Sequence, residues 1–297
     1  MKIKYGGRSD LLIGKLDPFS QATIHEFSLH CTPLHLYDYH ENEFAHTSAF
    51  IFKHKEKIYL ISAWHSLSGR NFFTRSTASS GLIPKRFSIF PFYATELGGK
   101  VSMGREKYFF SLTQSQQEEI ESPPIISGNP IDLIVAQLPF SGIKIGSNSI
   151  SGLHKLEIGY HNYDSSFGRD LLVGSDIFVL GYPLETFEGM MTPIWKRGSI
   201  AAEPRFGIDP PGAFLIDVNS TSGMSGGPIV LRKSRGRIEG TTYRHEVQDT
   251  IIGVYSGRVL TGEESSRNSF TLAYGWSFAH VVYMIDNDLF IKLDLIQ

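Results

Sequence analysis

Ser225 sits in Ser220-Thr221-Ser222-Gly223-Met224-Ser225-Gly226-Gly227-Pro228, a serine boxed in by glycines. Glycine accepts positive φ and leaves room for a substrate to approach, and the N–H groups of Gly223 and Ser225 are spaced to aim at one point. That pattern supplies a nucleophile beside an oxyanion hole, although a glycine-rich turn between two strands would use the same residues. A serine hydroxyl attacks only when a base takes its proton, and the base must itself be oriented. His65 ends Ser62-Ala63-Trp64-His65 behind an apolar segment, and Asp132 opens Ile131-Asp132-Leu133-Ile134-Val135-Ala136, a run expected to be buried. A carboxylate there needs a partner, and a histidine N–H would serve. Taken singly, His65 reads equally as a structural histidine and Asp132 as a turn cap after Pro130.

The elements that must position these residues are strands. Thr47-Ser48-Ala49-Phe50-Ile51-Phe52 and Lys57-Ile58-Tyr59-Leu60-Ile61-Ser62 flank the polar His54-Lys55-Glu56 and predict a hairpin that ends just before His65. Short apolar runs recur at Phe87–Phe90, Tyr108–Phe110, Leu133–Ala136, Ile177–Leu180, Phe214–Ile216, Ile229–Leu231, Ile251–Val254 and Phe270–Ala273. Many brief strands punctuated by turns predict an all-β fold of barrel or sandwich type. Polar sequence from about Ser141 to Gly174 separates two strand-rich halves, giving an N-terminal unit over 20–150 with His65 and Asp132 and a C-terminal unit over 165–297 with Ser225. The spacing of Ser277–Ile285 predicts a closing helix, and Gln114–Asn129 reads as an exposed loop.

Composition excludes several classes. The 297 residues carry 28 Lys plus Arg against 30 Asp plus Glu, a formal net charge of -2, so nothing global draws nucleic acid or an anionic membrane. No run reaches the ~18 apolar residues of a membrane span. One cysteine, Cys31, forbids an intrachain disulfide, and with no apolar leader behind Met1 the expected location is cytoplasmic.

Together the segments Ser62-Ala63-Trp64-His65, Asp132-Leu133-Ile134-Val135 and Gly223-Met224-Ser225-Gly226-Gly227-Pro228, in the order His, Asp, Ser, resemble the motifs of the trypsin-like (chymotrypsin-fold) serine peptidases. Val179-Leu180-Gly181-Tyr182-Pro183 and Ile252-Gly253-Val254-Tyr255-Ser256-Gly257 resemble second-barrel strands of the disulfide-free bacterial members. The resemblance implies two β-barrels with the site between them, a protein or peptide substrate and no cofactor. It further implies that Ser225 is the nucleophile, His65 the general base, Asp132 its orienting partner, and the amides of Gly223 and Ser225 the oxyanion hole. Offset from the nucleophile places Asn219 and Ser220 at the base of the primary pocket, with Tyr255, Ser256 and Gly257 along one wall. No acidic residue falls on that floor, which argues against cleavage after Lys or Arg; Asp217 lies two positions earlier. Met224 stands where secreted members carry an aspartate that pairs with a cut N-terminus, so the faint activation-like Leu12-Ile13-Gly14 is expected to be idle. Acylation through neutral His65 implies activity that falls as pH drops through about 6–7.

Three rival readings remain. Gly223-Met224-Ser225-Gly226-Gly227 also fits G-x-S-x-G, but an α/β-hydrolase needs a helix directly after the serine, whereas Pro228-Ile229-Val230-Leu231 reads as strand. His25, His30, His35, His40 and His46, with Cys31 and Asp38, have spacings that match no common metal pattern; they read as solvated loop histidines, with no metal site. A catalytically silent module would keep the fold and discard the chemistry.

Overall fold

The computed structural model describes residues 25–55, 57–78, 81–97, 100–139, 144–145, 148–149, 171–183, 192–204, 208–239, 242–259 and 271–294. The division expected near Ser141 to Gly174 and the Leu12-Ile13-Gly14 segment lie almost wholly or wholly outside these residues.

The first unit opens with a short helix α1 (Glu26–His30), then strands β1 (Cys31–Tyr37), β2 (Glu43–His54) and β3 (Lys57–Ser62), helix α2 (Trp64–Ser68), and strands β4 (Arg86–Ile89), β5 (Phe92–Leu97), β6 (Lys100–Arg105) and β7 (Tyr108–Ser111). Helix α3 (Gln114–Glu119), the two-residue strands β8 (Ile125–Ile126) and β9 (Asn129–Pro130), and strand β10 (Ile134–Gln137) follow. Strands β11 (Lys144–Ile145) and β12 (Asn148–Ser149) join β5 and β6 in a four-stranded sheet. The second unit holds β13 (Asp176–Gly181), β14 (Ile194–Ile200), β15 (Ala213–Val218), β16 (Pro228–Glu239), β17 (Thr242–Arg258) and β18 (Leu272–Ser277), after which helix α4 (Phe278–Asp286) leads to strand β19 (Ile291–Lys292) in the sheet of the first unit.

Strands β13 to β18 close into a barrel in the order β13-β14-β15-β18-β17-β16, while the first unit is a curled seven-stranded sheet, β19-β10-β3-β2-β1-β4-β7. This is the expected all-β architecture of two β units and a C-terminal helix, with the first unit a half-barrel. The hairpin forms because β-branched and aromatic residues pair across it, Phe50 with Ile61 and Phe52 with Tyr59. A continuous core joins Phe50, Phe52, Leu60 and Val135 to Phe278, Val281 and Met284 of α4. Each large side chain buried there contributes about 1.5–3 kcal/mol. Ser277 caps α4 by accepting from the Ala279 N–H at 3.2 Å, and the chain then returns to lay β19 parallel to β10. A second cluster, with Ile177, Val179, Ile216, Ile229 and Ala273, fills the closed barrel.

Two expectations need correction. Gln114–Asn129 contains α3, because Thr113 and Gln116 form a reciprocal capping box whose Thr-x-x-Gln signature overrides the polar composition. The histidines are not all in solvated loops: His30 and His35 are 4% and 8% exposed. β1 lies between β2 and β4 and is covered from both sides, so His35 faces His46 across the β1–β2 pair. Burial pushes the His30 imidazole down to about 4. Among the described residues no three His, Cys, Asp or Glu side chains converge to hold a metal ion, and no helix is long and apolar enough to cross a membrane.

Candidate active site

His65 is set by the end of the hairpin. β3 stops at Ser62, extended Ala63 begins α2, and Gly69 ends it at φ 65°. A side chain at Gly69 would meet the Leu82 carbonyl at 2.7 Å, so both space and conformation demand glycine. Trp64 is buried and donates its indole N–H to the Ile120 carbonyl at 2.9 Å, which pins the helix and leaves the neighbouring imidazole 29% exposed.

β10 pairs with β3 so that Ile134 faces Ser62, and this register carries Asp132 under α2. Its carboxylate is wholly buried but fully engaged. Oδ1 accepts the His65 backbone N–H at 2.9 Å, and Oδ2 accepts from His65 Nδ1 at 2.7 Å and from the Ser256 hydroxyl on β17. For His65, burial pulls the imidazolium pKa down, but the Asp132 charge and hydrogen bond outweigh it, and the net shift is upward from 6.5. For Asp132, burial pushes the pKa up, while the His65 charge and the three hydrogen bonds carry it below the usual carboxylate range.

Ser225 lies on the loop between β15 and β16, and strand β16 follows it directly, which removes the α/β-hydrolase reading. Gly223 and Gly226 take φ of 92° and 83°. A Cβ on Gly226 would fall 2.1 Å from Ser62 Oγ and 2.2 Å from the Ser48 carbonyl, so the loop presses directly on the first unit. Both units hold it. Gly226 N–H donates to the Tyr255 carbonyl at 2.7 Å and Tyr255 N–H to the Gly227 carbonyl at 2.8 Å. From β2, Ser48 N–H and Thr47 Oγ1 donate to the Ser225 carbonyl at 2.9 and 2.5 Å, and Ser48 Oγ donates to the Gly223 carbonyl at 2.7 Å. The N–H groups of Gly223 and Ser225 meet no acceptor among the described residues, which leaves them free to donate to a ligand. Met224 is fully buried in the barrel cluster.

The structure joins His65 to Asp132 and brings the Ser225 loop to the same junction through Ser256. The Ser225 hydroxyl itself donates to the Ser256 carbonyl at 2.6 Å, and among the described residues no hydrogen bond links it to His65. Of the residues assigned to the pocket, Asn219 is exposed. Ser220 is buried with its hydroxyl against that of Tyr255, whose ring lies in the barrel cluster, and Gly257 borders open space. Asp217 is exposed and accepts from the Thr271 hydroxyl.

Sequence reasoning passed over Thr47 and Ser48 and gave Ser256 only a pocket wall. The signal for Ser48 was present: a serine in the apolar strand ending Ala49-Phe50-Ile51-Phe52 is buried and must find partners, and it takes the Gly223 carbonyl and the Tyr182 N–H.

No protein-family model matches the chain, and no curated protein matches it. Solved structures similar to it include the Rv3671c protease from M. tuberculosis H37Rv in its inactive form, with 11% identity over 88% of this chain and 89% of that one at a TM-score of 0.41. Another is a thermostable serine protease, AL20, from an extremophilic microorganism, with 16% identity over 89% of this chain and 99% of that one at a TM-score of 0.45.

Proposed function

We propose that the chain is a serine endopeptidase of the trypsin-like class, acting through Ser225, His65 and Asp132 by way of an acyl-enzyme. The observation that carries this reading is the two-point grip of a wholly buried Asp132 on His65 through Nδ1 and the backbone N–H. It fixes the tautomer with Nδ1 protonated and leaves Nε2 as the base.

In the reaction the Ser225 hydroxyl leaves the Ser256 carbonyl, gives its proton to His65 Nε2 and forms an Oγ–C bond to the scissile carbonyl. Gly223 and Ser225 N–H groups take the developing oxyanion, and the loss of one such donor costs about 10²–10³ in rate. The C–N bond then breaks as His65 returns the proton to the leaving amine. Water, deprotonated by the same imidazole, bonds to the ester carbonyl carbon, the C–Oγ bond breaks, and His65 returns the proton to Ser225 Oγ as the acid product leaves.

The test is hydrolysis of an unfolded protein by the full chain beside Ser225→Ala. Cleavage that disappears in the variant agrees with the proposal, and equal cleavage by both rejects it. The orientation of Ser225 toward Ser256 favours a second reading, a protease-like binding module, for which neither protein would cleave.

A further inference from the structure

The strand that holds Ser256 ends in a cation placed beside the nucleophile loop. Arg258 is the last residue of β17, two positions after Ser256, a run of about 7 Å along an extended strand. Its Nη2 donates to the Ser220 carbonyl at 2.7 Å, on the stretch leading to Ser225. Beneath this contact the Ser220 and Tyr255 hydroxyls are bonded to each other, so the floor is closed and its polar groups are satisfied. Beside it, a side chain at Gly257 would meet nothing within 4 Å.

Arg258 is exposed, and among the described residues it makes no ion pair and one hydrogen bond, to the neutral Ser220 carbonyl. The other exposed arginine among the described residues, Arg197, is matched by Asp176 at 2.8 Å. Asp217, the nearest acid by sequence to this floor, is engaged with Thr271. Among the described residues, therefore, no carboxylate matches the guanidinium held on the stretch leading to Ser225, and its planar N–H fork is suited to a carboxylate.

We infer that Arg258 selects substrates with an acidic side chain, Asp or Glu, immediately before the scissile bond. This rests on the endopeptidase reading and supplies its substrate class. A lysine or arginine at that position meets like charge, and a neutral side chain leaves the guanidinium without a counter-ion.

The experiment measures kcat/KM for the full chain on peptides differing only in the residue before the cleaved bond: Glu, Gln, Ala, Phe and Lys. Labelling of Ser225 by a fluorophosphonate is run in parallel. The expected result is a preference for Glu over its isostere Gln of about tenfold or more, weakened by added salt. In Arg258→Ala that ratio falls toward one, in Arg258→Lys it partly survives, and in Arg258→Glu the preference turns to Lys. Should these variants fail to fold, the wild-type Glu to Gln ratio and its salt dependence decide. Labelling at Ser225 with no preference for Glu overturns the inference and leaves the hydrolase reading standing. Absence of both labelling and cleavage overturns the hydrolase reading and the inference with it.

Discussion

The Ser225 hydroxyl donates to the Ser256 carbonyl at 2.6 Å, and the Ser256 hydroxyl donates in turn to Asp132. One residue of the second unit thus touches the proposed nucleophile with its backbone and the proposed orienting carboxylate with its side chain. The serine hydroxyl is thus engaged by Ser256, and among the described residues no hydrogen bond links it to His65.

Replacing Ser225 by alanine removes one hydroxyl and its hydrogen bond to Ser256. Stability is expected to change by about 1 kcal/mol or less, read as a small shift in the thermal midpoint. Turnover should fall by about 10⁶-fold, as when a serine nucleophile is removed elsewhere. A large loss of stability would indicate a structural serine instead.

The rate should fall as pH drops through the pKa of His65, because only the neutral imidazole accepts the Ser225 proton. Burial lowers that pKa, the Asp132 charge and hydrogen bond raise it further, and the midpoint of the acid limb in kcat/KM is expected above 6.5. In Asp132→Asn the charge that raises it is gone and burial remains, so the midpoint moves down while the rate falls by about 10⁴. A limb that stays in place in the variant excludes Asp132 as its cause. For stability the signs differ: the raised His65 stabilises below its unfolded pKa and loses this as pH rises through the folded one. The depressed Asp132 stabilises above 3.8 and loses this as pH falls.

Ser256→Ala deletes a donor to a buried carboxylate that keeps its two bonds from His65. Denaturant unfolding should show a loss of about 1–3 kcal/mol, with the Asp132 pKa rising as a stabilising bond is lost. No measurable loss would mean that the hydroxyl is incidental.

Ser48→Ala strips the Gly223 carbonyl and the Tyr182 N–H of one shared partner. Since the same peptide chain presents the Gly223 and Ser225 N–H groups, the expected effect is on kcat more than on KM, about tenfold or greater, with about 1–3 kcal/mol of stability lost. An effect confined to KM would place Ser48 in substrate binding.

The fold was largely legible because its signals are local. Paired apolar runs around His54-Lys55-Glu56 announce a hairpin, and Ser277 before a helical stripe announces α4. The His65–Asp132 contact could be read because a carboxylate at the head of a buried strand demands a donor. Ser256 and Ser48 were not placed by sequence, since their roles depend on which strands of the two units abut, and a serine on a strand does not say which buried acceptor it will find. Closure was equally silent: nothing in the apolar runs distinguishes a barrel from a half-barrel, because register and β19's return to β10 decide it. Arg258 escaped for the same reason, as its contact joins residues far apart in the chain.

The central claim is that Ser225 is a nucleophile activated by His65, and the direct measurement is treatment of the folded full-length chain with a fluorophosphonate followed by peptide mapping. The account expects one adduct, on Ser225, formed at a rate that rises with pH above 6.5 and is lost in His65→Ala. A chain that stays unlabelled, or that is labelled at another residue or equally fast without His65, contradicts it.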